Sequence, residues 1–153
     1  VILMTYEWGW SGGPPRAVSP IPEVRKVLDY AVSVIPADKI VMGVPLYGYD
    51  WELPYEEGKP WAKRVAPKEA MQIAANEGAE IQYDQEAQSP YFHYTDDNGK
   101  KHVIWFENES SVQAKYNLVK EYNLRGVAYW VLGEPFPANW EVLRGTFNIK
   151  KVQ

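Results

Sequence analysis

The hydrophobic and polar positions fall into a rhythm of strands and helices. The opening stretch, VILMTY (Val1–Tyr6), is a nearly unbroken apolar run. Such runs mark strands buried on both faces, as in parallel sheets covered by helices. A loop rich in Gly and Pro follows, from Gly9 to Pro20. Ser19 is the expected N-cap of the next element and Pro20 its first helical residue. Val24, Val27, Leu28, Ala31 and Ile35 then recur at helical spacing, which predicts an amphipathic helix over 20–35. Pro36 ends it. A second continuous apolar run, Ile40 to Leu46, completes a strand, helix, parallel strand unit.

The pattern then changes to that of a small α+β insert. Pro67 starts a helix that carries Ala70, Ile73 and Ala74 and stops at Gly78. EIQYD (Glu80–Asp84) reads as a short strand. Asn98-Gly99 between two runs rich in aromatic and β-branched residues predicts a two-residue hairpin turn. In that register Phe92 faces Trp105 and Tyr94 faces Val103, and His93 and His102 become diagonal neighbours on one face. The first rhythm returns with a helix capped by Ser110 or Ser111, a third apolar strand from Gly126 to Leu132, and a final helix from about Ala138 to Arg144. The expected organisation is strand-helix-strand over 1–49, the insert over 50–110, and helix, last strand and C-terminal helix over 111–153.

Composition narrows the function classes. A net charge of −4 argues against nucleic-acid and anionic-membrane partners, which both demand a basic patch. No apolar run approaches the 18 or so residues of a bilayer-spanning helix. The chain starts inside an apolar run and not at Met, as a piece cut from a longer protein would. Without cysteine, thiolate metal sites and disulfides are excluded. Two histidines with no third ligand at suitable spacing call for no metal, and no cofactor is expected. DDNG (Asp96–Gly99) lacks the spaced ligands of a calcium loop. NES (Asn108–Ser110) fits a glycosylation sequon but is more simply a helix cap.

In parallel α/β proteins, ligands bind beyond the carboxyl ends of the strands. The first strand ends in Tyr6, Glu7 and Trp8. The second leads to Tyr47, Tyr49, Asp50 and Trp51. The third ends in Tyr129 and Trp130, with Glu134 slightly later. Each end therefore pairs aromatic rings with a carboxylate, a combination suited to gripping a neutral sugar.

These motifs resemble glycoside hydrolase family 18, the chitinase-like hydrolases. MTYEWG is similar to the Met-x-Tyr-Asp motif on that family's sixth barrel strand, GVPLYGYDW to its seventh strand, and GVAYWVLG to its eighth. SPYFHYTD, HVIWFEN and LRGVAYWVLGEPFPANW resemble the branch of bacterial spore cortex-lytic N-acetylglucosaminidases and sporulation glycosylases. The resemblance implies an α/β fold forming the C-terminal part, strands six to eight, of a (β/α)8 barrel. A whole barrel takes about 250 residues. It also implies substrate-assisted, retaining hydrolysis of β-1,4-linked N-acetylglucosamine glycans, in spore cortex peptidoglycan or chitin-like polymers. The implied location is the spore or cell envelope, or secretion. The family's acid motif, Asp-x-x-Asp-x-Asp-x-Glu, does not occur in this chain. The piece is therefore expected to be inactive alone, and to pair with the missing N-terminal half or with a copy of itself. A carbohydrate-binding relative that lacks the acid is the alternative.

By resemblance, Tyr6 bonds the oxygen of the sugar's acetamido group. Glu7 stands where the broad family has Asp, and its extra methylene moves the carboxylate by roughly 1.5 Å. Trp130 floors the subsite of the cleaved sugar. Tyr47 and Trp51 line the cleft or anchor the insert. Trp8, like Trp10, walls the groove or packs on the neighbouring loop.

Overall fold

The computed structural model describes residues 1–59 and 61–150. In chain order its elements are β1 (Ile2–Leu3), α1 (Ile21–Val34), β2 (Val41–Pro45), β3 (Gly48–Leu53), β4 (Lys63–Val65), α2 (Pro67–Asn76), β5 (Gln82–Asp84), β6 (Ser89–Thr95), β7 (Lys101–Trp105), α3 (Glu109–Glu121), β8 (Gly126–Trp130) and α4 (Pro137–Thr146). A single 3-10 turn, Ala37–Lys39, leads into β2.

β1, β2 and β8 form one parallel sheet in the order β1-β2-β8. The central strand has the continuous burial that its apolar run implies, with Met42 and Val44 at 0% exposure. β1 does not. Val1, Ile2 and Met4 are 64%, 63% and 76% exposed, so the expectation of a first strand buried on both faces is corrected. The reason is position: β1 is an edge strand, with β2 on one side and no described neighbour on the other. The third strand likewise ends at Trp130, short of Leu132, which is 86% exposed. α1, α3 and α4 cover the sheet through Val24, Leu28, Ala31, Val112, Tyr116, Val119 and Val142.

Ser19 is not the cap of α1. The helix opens at Ile21 with Pro20 at the capping position and no side-chain cap. The Ser19 hydroxyl instead donates to the Thr5 carbonyl at 2.6 Å, tying the loop down beside the end of β1. The capping residue of α3 is Asn108, not Ser110 or Ser111. Its Oδ1 accepts from the Ser111 amide at 3.0 Å, while the Ser111 hydroxyl accepts from the Asn108 amide at 2.9 Å.

The second sheet is antiparallel, in the order β4-β3-β7-β6-β5. One face packs Phe92, Ile104, Phe106 and Val65 against Ala70 and Ala74 of α2. The other buries Tyr49, Trp51 and Val103, with Tyr91 and Trp105 partly covered. The hairpin register differs from the expected one by a single residue. Phe92 pairs with Ile104, Tyr94 with His102, and Tyr91 with Trp105. Asp96 is responsible: its Oδ1 accepts from the amides of Asn98 at 2.9 Å and Lys100 at 2.8 Å. The turn is thereby lengthened, with Gly99 at φ 78°. A one-residue slip moves each side chain to the other face. Trp105 therefore stacks on Tyr91 at 4.5 Å instead of joining Phe92. His93 and His102 lie on opposite faces, not together. His102 stacks on Tyr94 at 4.7 Å and places Nδ1 2.9 Å from Asp50 Oδ1.

A buried ion pair fastens the insert to α3. Glu107, just after β7, and Lys115 each have side chains 1% exposed and lie 3.0 Å apart. The Ser111 hydroxyl adds a 2.5 Å hydrogen bond to the same oxygen, Oε2. Burial pushes the Glu107 carboxyl above its ordinary value, against the opposing pull of Lys115 and Ser111. Removing one partner strands the other, so Lys115→Met is expected to cost about 3 kcal/mol. Glu107→Gln with Lys115→Met is expected to cost clearly less, because the double change leaves no buried charge. Denaturant melts check this; equal losses would show that the two residues do not act as a pair.

Candidate active site

Glu7 is placed by an unusual backbone. Its φ is 70°, a left-handed conformation that non-glycine residues rarely adopt and that clusters at functional sites. The turn is held immediately afterwards, where the amides of Trp8 and Gly9 donate to the Val18 and Ala17 carbonyls at 3.0 and 2.9 Å. The side chain is held from the other direction. The hydroxyls of Tyr47 and Tyr49 both donate to Glu7 Oε1, the second at 3.0 Å. Among the described residues Oε2 has no hydrogen bond, which leaves one carboxylate oxygen for a ligand.

The two tyrosines reach Glu7 because the chain changes sheets at this point. β2 ends at Pro45 and β3 begins at Gly48. Tyr47, Tyr49 and Trp51 then alternate onto one face of the extended chain. Their rings meet edge to face at centroid distances of 5.5 and 5.6 Å. Burial first, then the bonds to Glu7, raise both phenols: Tyr47 far above its ordinary value and Tyr49 to about 12. Both therefore remain protonated donors near neutral pH.

Tyr6 lies half-buried beside this group. Its ring passes over Gly43 of β2, where an added Cβ would come within 2.8 Å of Tyr6 Cε1 and 2.5 Å of the Leu3 carbonyl. Glycine inside this strand is thus the condition for Tyr6's position. Burial, and next the Glu7 charge, raise the Tyr6 phenol as well. Trp130 sits at the end of β8 in register with Pro45, and its carbonyl accepts from the Leu46 amide at 2.7 Å. Its side chain is 52% exposed. Its neighbour Tyr129 points the other way and meets the Tyr116 hydroxyl at 2.8 Å.

The other candidates are buried or partly buried and serve as supports. Trp51 is 2% exposed, and its Nε1 donates to the Gly13 carbonyl at 2.8 Å. Tyr55 does the same to Gly12 at 3.0 Å. Together they fasten the loop after β1 to the insert. Trp8 packs partly buried against the core of the parallel sheet. Tyr47 is 1% exposed, so it meets Glu7 rather than open solvent.

Sequence reasoning placed Tyr49 at the second strand end without giving it a role, and did not single out Arg64. Tyr49 was detectable from the alternation in YGYDW, which marks an extended strand with one aromatic face. Arg64 carried no local signal. It joins the cluster from β4, where it is opposite Tyr49. Its guanidinium lies 4.5 Å from the centroid of the Tyr47 ring, and its Nε is 3.6 Å from Glu134 Oε1.

Parallel strands joined and covered by helices, with a carboxylate, protonated phenols and an exposed indole beyond their carboxyl ends, define a segment of an α/β barrel. The chain belongs to glycosyl hydrolase family 18, whose model matches residues 1–134. It is 58% identical over 151 residues to the cortical fragment-lytic enzyme of Bacillus subtilis, covering 99% of this chain and 35% of that protein. The crystal structure of the Bacillus cereus spore cortex-lytic enzyme SleL superposes with a TM-score of 0.96 at 49% identity, over 98% of this chain and 35% of that one. A chitinase from Chromobacterium violaceum superposes at 0.82 with 33% identity, over 94% of this chain and 44% of that one. The chain thus spans about a third of the length of its cortex-lytic relatives, and its α/β fold forms part of a (β/α)8 barrel.

Proposed function

We propose that this chain supplies strands six to eight of a glycosidase barrel, divided as 1–49, 50–110 and 111–153. The glycosidase cleaves β-1,4-linked N-acetylglucosamine glycans in the peptidoglycan of the spore cortex. The observation that carries the reading is Glu7. A left-handed backbone and two phenols present it just beyond β1, at the same end of the parallel sheet as the exposed Trp130 of β8. Relatives named as cortex-lytic enzymes support the substrate class.

In this reading the substrate's own 2-acetamido oxygen attacks the anomeric carbon. The bond to the leaving oxygen breaks, and that oxygen takes a proton from an acid outside this chain. Positive charge develops on the acetamido group. The Tyr6 hydroxyl holds the acetamido oxygen, and Glu7 stabilises the charge from close range. Trp130 stacks under the sugar ring. Tyr47 keeps Glu7 aimed, and Trp51 keeps the loop after β1 closed on the insert. The barrel's remaining strands are the partner that covers β1.

Trp130→Ala in a full-length parent tests the glycan site. A stacked ring contributes on the order of 0.5–1.5 kcal/mol, so affinity for N-acetylglucosamine oligomers is expected to fall roughly 2- to 12-fold by calorimetry. Unchanged affinity in a folded variant would return Trp130 to a packing role. The absence of the acid motif from this chain keeps a binding-only relative as the second reading. A Glu at the end of the parent's fourth strand excludes it.

A further inference from the structure

The insert reaches the cleft through one short stretch. Arg64 lies over the Tyr47 ring at 4.5 Å and pairs with Glu134 at 3.6 Å. Four residues further on, the Lys68 amide donates to the Pro135 carbonyl at 3.3 Å. The same part of the insert therefore holds Tyr47 on one side and the segment following Trp130 on the other. Tyr47 in turn donates to Glu7. Three strand ends, those of β1, β2 and β8, are thus linked by one guanidinium.

We propose that Arg64 is a positioning residue for the glycan site, which it sets by stacking on Tyr47 and pairing with Glu134. The proposal rests on the reading of Glu7 and Trp130 as that site. Arginine suits the role because its flat guanidinium covers the tyrosine ring while its edge remains available to a carboxylate. Lysine carries the charge without the plane. Two carboxylates belong to the same group: Glu134, paired directly with Arg64, and Glu7, which accepts from Tyr47. Its loss therefore leaves Glu134 without its cation and the Tyr47 ring without its cover.

The test uses the full-length protein and an aryl N-acetylglucosaminide. Arg64→Gln is expected to lower kcat/KM about tenfold, because small misplacements of catalytic groups are costly. Arg64→Lys is expected to recover part of that loss. Arg64→Gln combined with Glu134→Gln is expected to be no worse than Arg64→Gln alone, since the two residues form one unit. A purely structural role would lower the melting temperature and leave kcat/KM of the folded protein unchanged. Values within twofold of the parent for folded Arg64→Gln, or losses that simply multiply in the double variant, overturn the proposal. If Arg64→Gln fails to fold, Arg64→Lys decides: a loss of about threefold supports the role, and full activity overturns it. Glu7→Gln in the same assay separates this outcome from the site reading. A fully active Glu7→Gln sinks the site itself, whatever Arg64 shows.

Discussion

The 153-residue chain alone is expected to release no chromophore from an aryl N-acetylglucosaminide or its chitobioside. This is the largest effect anticipated, a complete loss. Glu7 accepts from two phenols through one oxygen, and in the proposed mechanism it stabilises charge while an acid outside this chain protonates the leaving group. The motif that supplies the family's acid does not occur in the chain. The chain is also expected to be poorly soluble by itself, because Val1, Ile2 and Met4 are exposed along a strand edge that offers its N–H and C=O groups to another chain. Refolding it with the N-terminal segment of a cortex-lytic relative is expected to restore turnover and cover that edge. Turnover by the chain alone would force a search for another acid, with Glu7 and Glu134 first.

Glu7→Gln in the full-length parent is expected to lower kcat by about 10²-fold with little change in KM. In the proposed mechanism the carboxylate's contribution grows as positive charge develops on the acetamido group, so its loss is expected to fall on the transition state. Removing one such electrostatic stabiliser typically costs 10²–10³-fold. Glutamine keeps the shape, and its carbonyl oxygen still accepts from Tyr47 and Tyr49, so the fold is expected to survive. Steady-state kinetics and a thermal melt together check this. A loss of less than about threefold would mean that the Tyr47–Glu7–Tyr49 group serves packing alone.

The order of elements was legible because each rests on a contiguous signal. The apolar run Ile40–Leu46 reads as a buried strand wherever it lies, and it is one. Pro67 starts α2 because proline is compatible with a first helical turn. Other features depended on short side-chain contacts that a pattern does not weigh. Asn98-Gly99 is a strong turn signal, yet the Asp96 carboxylate captured two amides and moved the register by one residue. Asn108 outcompeted Ser110 and Ser111 for the end of α3 because its side chain reached the Ser111 amide.

The sequence by itself determined the alternation of strands and helices, the antiparallel insert, and the aromatic and acidic residues at the strand ends. Those depend on local propensity and on which side chains prefer to leave water, and both are written along the chain. Only the tertiary structure decided which residues share a site. Tyr49 meets Glu7 because the chain switches sheets after β2, and Arg64 joins them because β4 lies against β3. Trp51 is buried because the loop after β1 folds onto it. Val1 and Ile2 are exposed because burial is a property of neighbours, and β1 has a described neighbour on one side only.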